Sequence, residues 1–205
     1  AVWESFGKAA DTAENEATLA GDLWRDAFFM SEPVRSQLGD VRDYVGIVLT
    51  QEWPAMARGA PVGDAGWMPL YKFHQALTDV HTTDPMQVMM VGEAINRLNS
   101  LYDARRDRLL AAEGHLDPTV WGVVILGTFI TVVFTYLFGM ESFALHLLMT
   151  GVLAATLALV IVLIVAFDYP FRGEVQVAPD GFGSVEHNMK VAGISFAQPP
   201  GEHTP

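Results

Sequence analysis

Two patterns of polar and apolar positions divide this chain. Up to about residue 118, apolar residues recur at steps of three and four among many charges, the spacing of amphipathic helices packed on one another. Trp3, Phe6, Ala10, Ala13, Ala17, Ala20, Trp24 and Ala27 form one such seam. Alanine fills its middle, so a partner helix can approach closely there. A second helix is predicted from Pro33, with Val34, Leu38, Val41, Val45 and Val48 on one face. Its stripe runs into a carboxylate, Glu52, and Pro54 then kinks or ends the helix because proline has no N–H to donate. Residues 58–66, RGAPVGDAG, read as loop, and a short helix from Pro69 to about Val80 follows. Asp84 and Pro85 form a cap and first-turn pair for a long helix, with Val91, Ile95, Leu98 and Tyr102 on one face and Glu93 four residues before Arg97 on the other. Met86, Met89 and Met90 are assigned to its core side.

Beyond Asp117 and Pro118, a second cap signal, the pattern changes. Thr119 to Phe138 is a 20-residue run without a charge, about 30 Å of helix and so about one bilayer core. Four residues later comes a 25-residue run from Phe143 to Phe167, whose only ionisable member is His146. So short a link makes the two spans an antiparallel hairpin. After Asp168 the periodicity fades: RGEVQVAPDGFGSVEHNM reads as turns with at most one short strand, and AQPPGEHTP as a loose tail. The fold class expected is all-α: an integral membrane protein with a helical bundle (1–118), a transmembrane hairpin (119–167, spans 119–138 and 143–167) and a C-terminal loop and tail (168–205).

Composition sharpens this division. Hydrophobic residues make up 51% of the 205, yet 24 acids face 12 Lys and Arg. The bundle carries 18 acids against 10 basic residues, which leaves no basic footprint for nucleic acid. With no cysteine, thiolate metal sites and thiol nucleophiles are absent. Arg105, Arg106 and Arg108 precede the first span, Arg172 follows the second, and the turn has no Lys or Arg. The positive-inside rule therefore predicts the turn outside and both long ends cytoplasmic. Trp121 and Tyr169 are then placed at the inner interface and Tyr136 near the outer one. The first residues lack the basic start and apolar core of a signal peptide, and Ala1 is expected to be a processed terminus or the start of a stretch from a longer chain.

Five motifs occur in a recognisable order: Glu16-Ala17, Asp43-Tyr44-Val45, Glu52-Trp53-Pro54, Arg105-Arg106-Asp107-Arg108-Leu109 and, after the hairpin, Asp168-Tyr169-Pro170-Phe171-Arg172-Gly173. Over residues 1 to about 185 they make the chain resemble the bacterial bestrophin-like domain family of membrane proteins. The resemblance implies membrane architecture in the bacterial inner membrane, further hydrophobic segments upstream of the region matching Ala1, and a distant likeness to anion channels. It implies no defined biochemical role.

Several residues have alternative readings. Thr128, Thr131 and Thr135 form a hydroxyl stripe, and Thr150, Gly151, Ala154, Ala155 and Ala158 a small-residue face. Together they either pack helix on helix or, in several copies around an axis, line an ion path. His146 either reaches Glu141 and the interface, contacts a proton or anion, or serves as axial ligand to a haem or chlorin. Glu16 and Glu52, on apolar faces, either pair with arginine (Arg42, Arg105 and Arg106 are the candidates) or have raised pKa values and move protons. Asp168 and Arg172 read as a clamp at the membrane exit or a gating latch, pairing with each other or with the Arg105–Arg108 group. His74 and His81, seven apart, read as surface residues rather than a metal site. No nucleophile, phosphate-loop, dinucleotide or metalloprotease motif occurs, so no catalytic residue is assigned and no enzyme is expected. The role expected is a structural or accessory subunit that packs through its spans and Ala seam against membrane lipids and other subunits, or against itself. The alternative is a homo-oligomeric anion channel.

Overall fold

A computed structural model describes residues 2–114, 118–137 and 142–197, excepting the side chains of Val2 and residues 193–197. Every regular element among them is helical. Helix α1 (Val2–Phe28) is followed by a 3₁₀ turn (Val34–Gln37), α2 (Leu38–Ile47), a π-helical turn (Val48–Glu52) and α3 (Trp53–Ala57). After a further 3₁₀ turn at Asp64–Gly66 come α4 (Trp67–Thr78) and α5 (Pro85–Ala112). The apolar helices α6 (Pro118–Thr135) and α7 (Phe143–Asp168) precede α8 (Asp180–Ala197).

The bundle forms around α1, which packs along α5 and also meets α2 and α8. Its buried stripe is Ala9, Ala13, Glu16, Ala20, Leu23 and Ala27, with Ala17 beside it. This lies to one side of the predicted seam: Ala13, Ala17, Ala20 and Ala27 are buried as expected, but Trp3 is 71% exposed, and Ala10 and Trp24 stand at the margin. Small residues serve two neighbours at once. A Cβ on Gly21 would come to 3.2 Å from Val185 of α8, and one on Gly181 of α8 to 3.1 Å from Ala17. The Ala seam is thus filled from within the chain, by α5 and α8, and does not remain for another subunit.

On α2 the predicted stripe holds, with Val41, Val45 and Val48 buried. Pro54 does not end the helix. The π-helical turn just before it widens one turn, and Pro54 sits in the first turn of α3, where a missing N–H costs nothing. Asp84 caps α5 by accepting from the Met86 N–H at 3.0 Å. Arg97 binds Glu93 at 3.2 Å and also Asp26 of α1 at 2.5 Å. Two expectations fail. Met86 and Met89 are exposed, since α5 turns its Ala94, Leu98 and Leu101 face to the core, and only Met90 packs against it. The segment read as turns and a short strand contains α8 instead. Its Phe182, Val185 and Met189 recur at steps of three and four, and Gly181 and Gly183 had obscured that spacing.

The hairpin stands apart from the bundle core. Helices α6 and α7 are long and apolar enough to cross a membrane, at 18 and 26 residues, and their apolar windows are 0% and 6% buried. They touch along one face each, near Val124, Thr128, Val132 and Thr135 on α6 and Thr150, Leu153 and Leu157 on α7. At the bundle end, Phe167 of α7 meets Trp3 and Phe6 of α1 edge to face, with centroids 5.2 and 5.4 Å apart. Asp117, Phe138 at the end of the first predicted span, residues 139–141 of the predicted turn and the tail from 198 onward, on which other expectations fall, lie outside the described residues.

Candidate functional site

Three helical stripes each carry charge in line with apolar positions, and the bundle brings those charges to one point. On α5 the buried face runs Ala94, Leu98, Leu101, Arg105, Arg108, Ala112. On α1 it passes through Glu16, and on the α2 continuation it ends at Glu52, which the π-helical turn carries inward. Glu16, Arg105 and Arg108 are fully buried and Glu52 is 3% exposed. Unpaired, any of them would be costly to bury.

Each finds a partner. Arg108 donates from Nε to Glu16 Oε2 at 2.6 Å and from Nη2 to Glu16 Oε1 at 3.0 Å and Glu52 Oε2 at 2.7 Å. Arg105 donates from Nη1 to Glu52 Oε2 at 2.7 Å. Its Nη2 and Glu52 Oε1 also meet as an ion pair at 2.7 Å, off the line that a hydrogen bond needs. The Tyr44 hydroxyl donates to Glu16 Oε1. Two acids and two arginines make the network neutral, and aromatic faces enclose it. Arg105 lies 4.5 Å from the centroid of Trp67 and Arg108 5.6 Å from that of Trp53. Phe182 of α8 and Phe171 of the segment after α7 cover Trp53 from outside. Gly66 allows the loop before α4 to press on the pair: a Cβ there would stand 2.7 Å from both terminal nitrogens of Arg105 and against Glu52.

The electrostatics follow from this closure. Burial alone would raise the Glu52 pKa, but hydrogen bonds and charge from Arg105 and Arg108 hold it below the usual carboxylate value. Burial alone would weaken the arginine cations, and the carboxylates reverse that and bind their protons more firmly. Tyr44 is pushed well above 10, first by burial and then by the Glu16 charge. Glu52 is thus paired with arginine, and its pKa is lowered rather than raised. Of the three arginines weighed as partners only Arg105 is in the network, while Arg106 bonds Asp103 on the surface. Arg108, Tyr44 and Trp67 were missed as network members. The signal for the arginines was their spacing of three on the apolar face of α5, in register with Leu98 and Leu101.

The membrane-exit residues arrange differently from the clamp expected. Asp168 is buried and accepts from Trp121 Nε1 at 3.4 Å, which joins the end of α7 to the start of α6. Arg172 does not pair with it. Its Nη2 reaches the Ala112 carbonyl at 3.5 Å, and its guanidinium lies 4.5 Å from the Tyr169 ring centroid. The predicted Asp168–Arg172 pair is replaced because the turn at Tyr169 and Pro170 carries Arg172 back onto the end of α5.

Within the hairpin the threonines do not form one stripe. Thr128 and Thr135 lie in the seam, where Thr135 and Thr150 hydroxyls are 3.4 Å apart, whereas Thr131 is exposed on another face. Each of the three donates to a carbonyl of its own helix, at 2.7–2.8 Å. Gly151, Ala155 and Ala158 are exposed, and of that small face only Thr150 and Ala154 turn toward α6. The ring of His146 meets Tyr136 edge to face at 5.6 Å. Its proposed partner Glu141 lies outside the described residues. His74 stacks on Tyr102.

The motifs that met in this core are those of the resemblance noted in the sequence, and a model of the bestrophin-like domain matches residues 1–182. The chain belongs to the bestrophin-like domain family. No curated protein and no solved structure matches it. Four of the five motifs supply the buried network or the rings around it, and the fifth supplies Asp168 and Phe171. The family pattern in this member is thus the set of residues that closes the bundle and joins it to the hairpin.

Proposed function

We propose that this bestrophin-like membrane protein is a non-enzymatic subunit, structural or accessory, that assembles with other membrane subunits or with copies of itself through the outer faces of its hairpin. The observation that carries this reading is the contrast in exposure. The polar core is buried and neutral, while almost the whole surface of α6 and α7 is free of contact with the rest of the chain. Gly151, Ala155 and Ala158 are on that free surface, where small residues let a neighbouring helix approach. The bundle lies in the bacterial cytoplasm and the turn outside, from the arginines that flank the spans. His146 is read as a hairpin packing residue with no cofactor.

A second reading, a homo-oligomeric anion conductor, is favoured by the family's likeness to anion channels. It needs several copies around an axis, because one hairpin encloses no pore and neither span contains Lys or Arg. The mass of the particle extracted in mild detergent, with chloride flux from proteoliposomes, separates the two. Co-purification with different subunits and no flux is the result expected. A pure homo-oligomer that conducts chloride overturns the accessory reading.

A further inference from the structure

Where the spans join the bundle, a cavity of about 360 Å³ lies between the end of α5 and the segment leaving α7. Met56, Val62 and Leu109 give it an apolar wall, and Glu113 and Arg172 bring one charge of each sign. Both charges are close to the level where apolar helix begins. Glu113 is five positions before Pro118, the start of α6, and Arg172 four positions after Asp168, the end of α7.

Arg172 is only partly used by the fold. One donor reaches the Ala112 carbonyl at 3.5 Å, and the guanidinium stacks on Tyr169. Its Nε is buried with no hydrogen-bond partner, and no described carboxylate lies within ion-pair distance. Gly59, at φ +67°, brings the backbone so close that a Cβ would stand 2.8 Å from the guanidinium carbon. An arginine held this way, short of a counter-charge, suits an anion with paired oxygens, because phosphate oxygens accept guanidinium N–H groups in matched geometry.

We propose that this cavity binds the head group of a membrane phospholipid, its phosphodiester on Arg172 and, in lipids that have one, its ammonium beside Glu113. A basic side chain presented at the water boundary of a bilayer attracts phospholipid head groups. The volume is at the small end for a ligand site, suited to a head group rather than to a whole lipid. The assignment rests on the two apolar helices lying in a bilayer, not on the assembly reading above.

The test is native mass spectrometry of the full chain released from a phosphate-free detergent, titrated separately with phosphatidylethanolamine, phosphatidylglycerol and inorganic phosphate. One bound lipid per chain is expected. Arg172→Gln should weaken retention of both lipids about tenfold or more, from the loss of a charge-assisted contact. Glu113→Gln should weaken phosphatidylethanolamine relative to phosphatidylglycerol, and Arg25→Gln, far from the cavity, should change neither. Ala60→Trp, which places an indole in the cavity, should abolish retention, and it decides the matter if Arg172→Gln is poorly folded. Undiminished lipid binding in a folded Arg172→Gln or Ala60→Trp protein overturns the site. Inorganic phosphate that competes as well as lipid does overturns the lipid as its occupant.

Discussion

Arg108 is the hub of the buried network, and replacing it with methionine keeps most of the stem while removing the charge. Glu52 would retain Arg105, but Glu16 would be left with the Tyr44 hydroxyl alone, a net negative charge in a site sealed from water. Removing one partner of a buried ion pair costs about 3–5 kcal/mol. Against a typical total of about 5–15 kcal/mol, that lowers the folded-to-unfolded ratio by roughly a hundred- to several-thousandfold. The double variant Glu16→Leu with Arg108→Met removes one charge of each sign and leaves the Glu52–Arg105 pair intact. It should cost less than Arg108→Met alone, about 1–3 kcal/mol, mainly for the Tyr44 hydroxyl left without an acceptor. Adding Tyr44→Phe should recover most of that. Equilibrium unfolding of the full chain in detergent, followed by far-ultraviolet circular dichroism and with Glu16→Leu alone measured beside these variants, gives the costs and the coupling between the sites. Additive costs, with the double variant less stable than either single one, would refute the claim that electroneutrality holds this core together.

The pH dependence has two limbs. Glu52 is held below its ordinary 4.5, so its stabilisation is present above that pH and is lost as pH falls through the lowered value. Tyr44 is raised above 10, so its contribution is full below pH 10 and declines above it by about 1.4 kcal/mol per pH unit until the native group ionises. A melting temperature unchanged from pH 9 to 12 would contradict the burial of Tyr44. Gly66→Ala should lower the melting temperature by the equivalent of about 1–3 kcal/mol, because the added methyl overpacks the Glu52–Arg105 pair. Gly46→Ala, with open space around it on α2, serves as the control that holds or gains stability. Phe182→Ala, which empties the ring beside Trp53 and Arg108, should cost about 3–5 kcal/mol and expose α8 to limited proteolysis. If α8 stays protected, it is not anchored by that ring.

Much of the architecture was legible because it depends on near-neighbour rules. Runs of apolar residues long enough for a bilayer locate α6 and α7 within a few residues, and Asp84-Pro85 locates the start of α5. The stripes on α1 and α2 also show that Glu16 and Glu52 interrupt apolar faces. Local pattern fails where two opposing tendencies meet: Pro54 is carried inside a helical segment by the wider turn before it, and the glycines of α8 conceal a helix that packing against α1 stabilises.

The sequence by itself therefore determined the helical stretches other than α8, which two are apolar enough to span, and that certain charges lie on the wrong face for a surface. Tertiary structure alone decided which of those charges meet. Glu16, Glu52, Arg105 and Arg108 come from three helices and lie up to 92 positions apart, so no spacing rule relates them, and only the docking of α1, α2 and α5 brings opposite charges into contact out of water. The same is true at the membrane exit. Asp168 and Arg172 are at pairing distance along a helix, but the chain stops being helical between them, and packing sends one to Trp121 and the other to the end of α5.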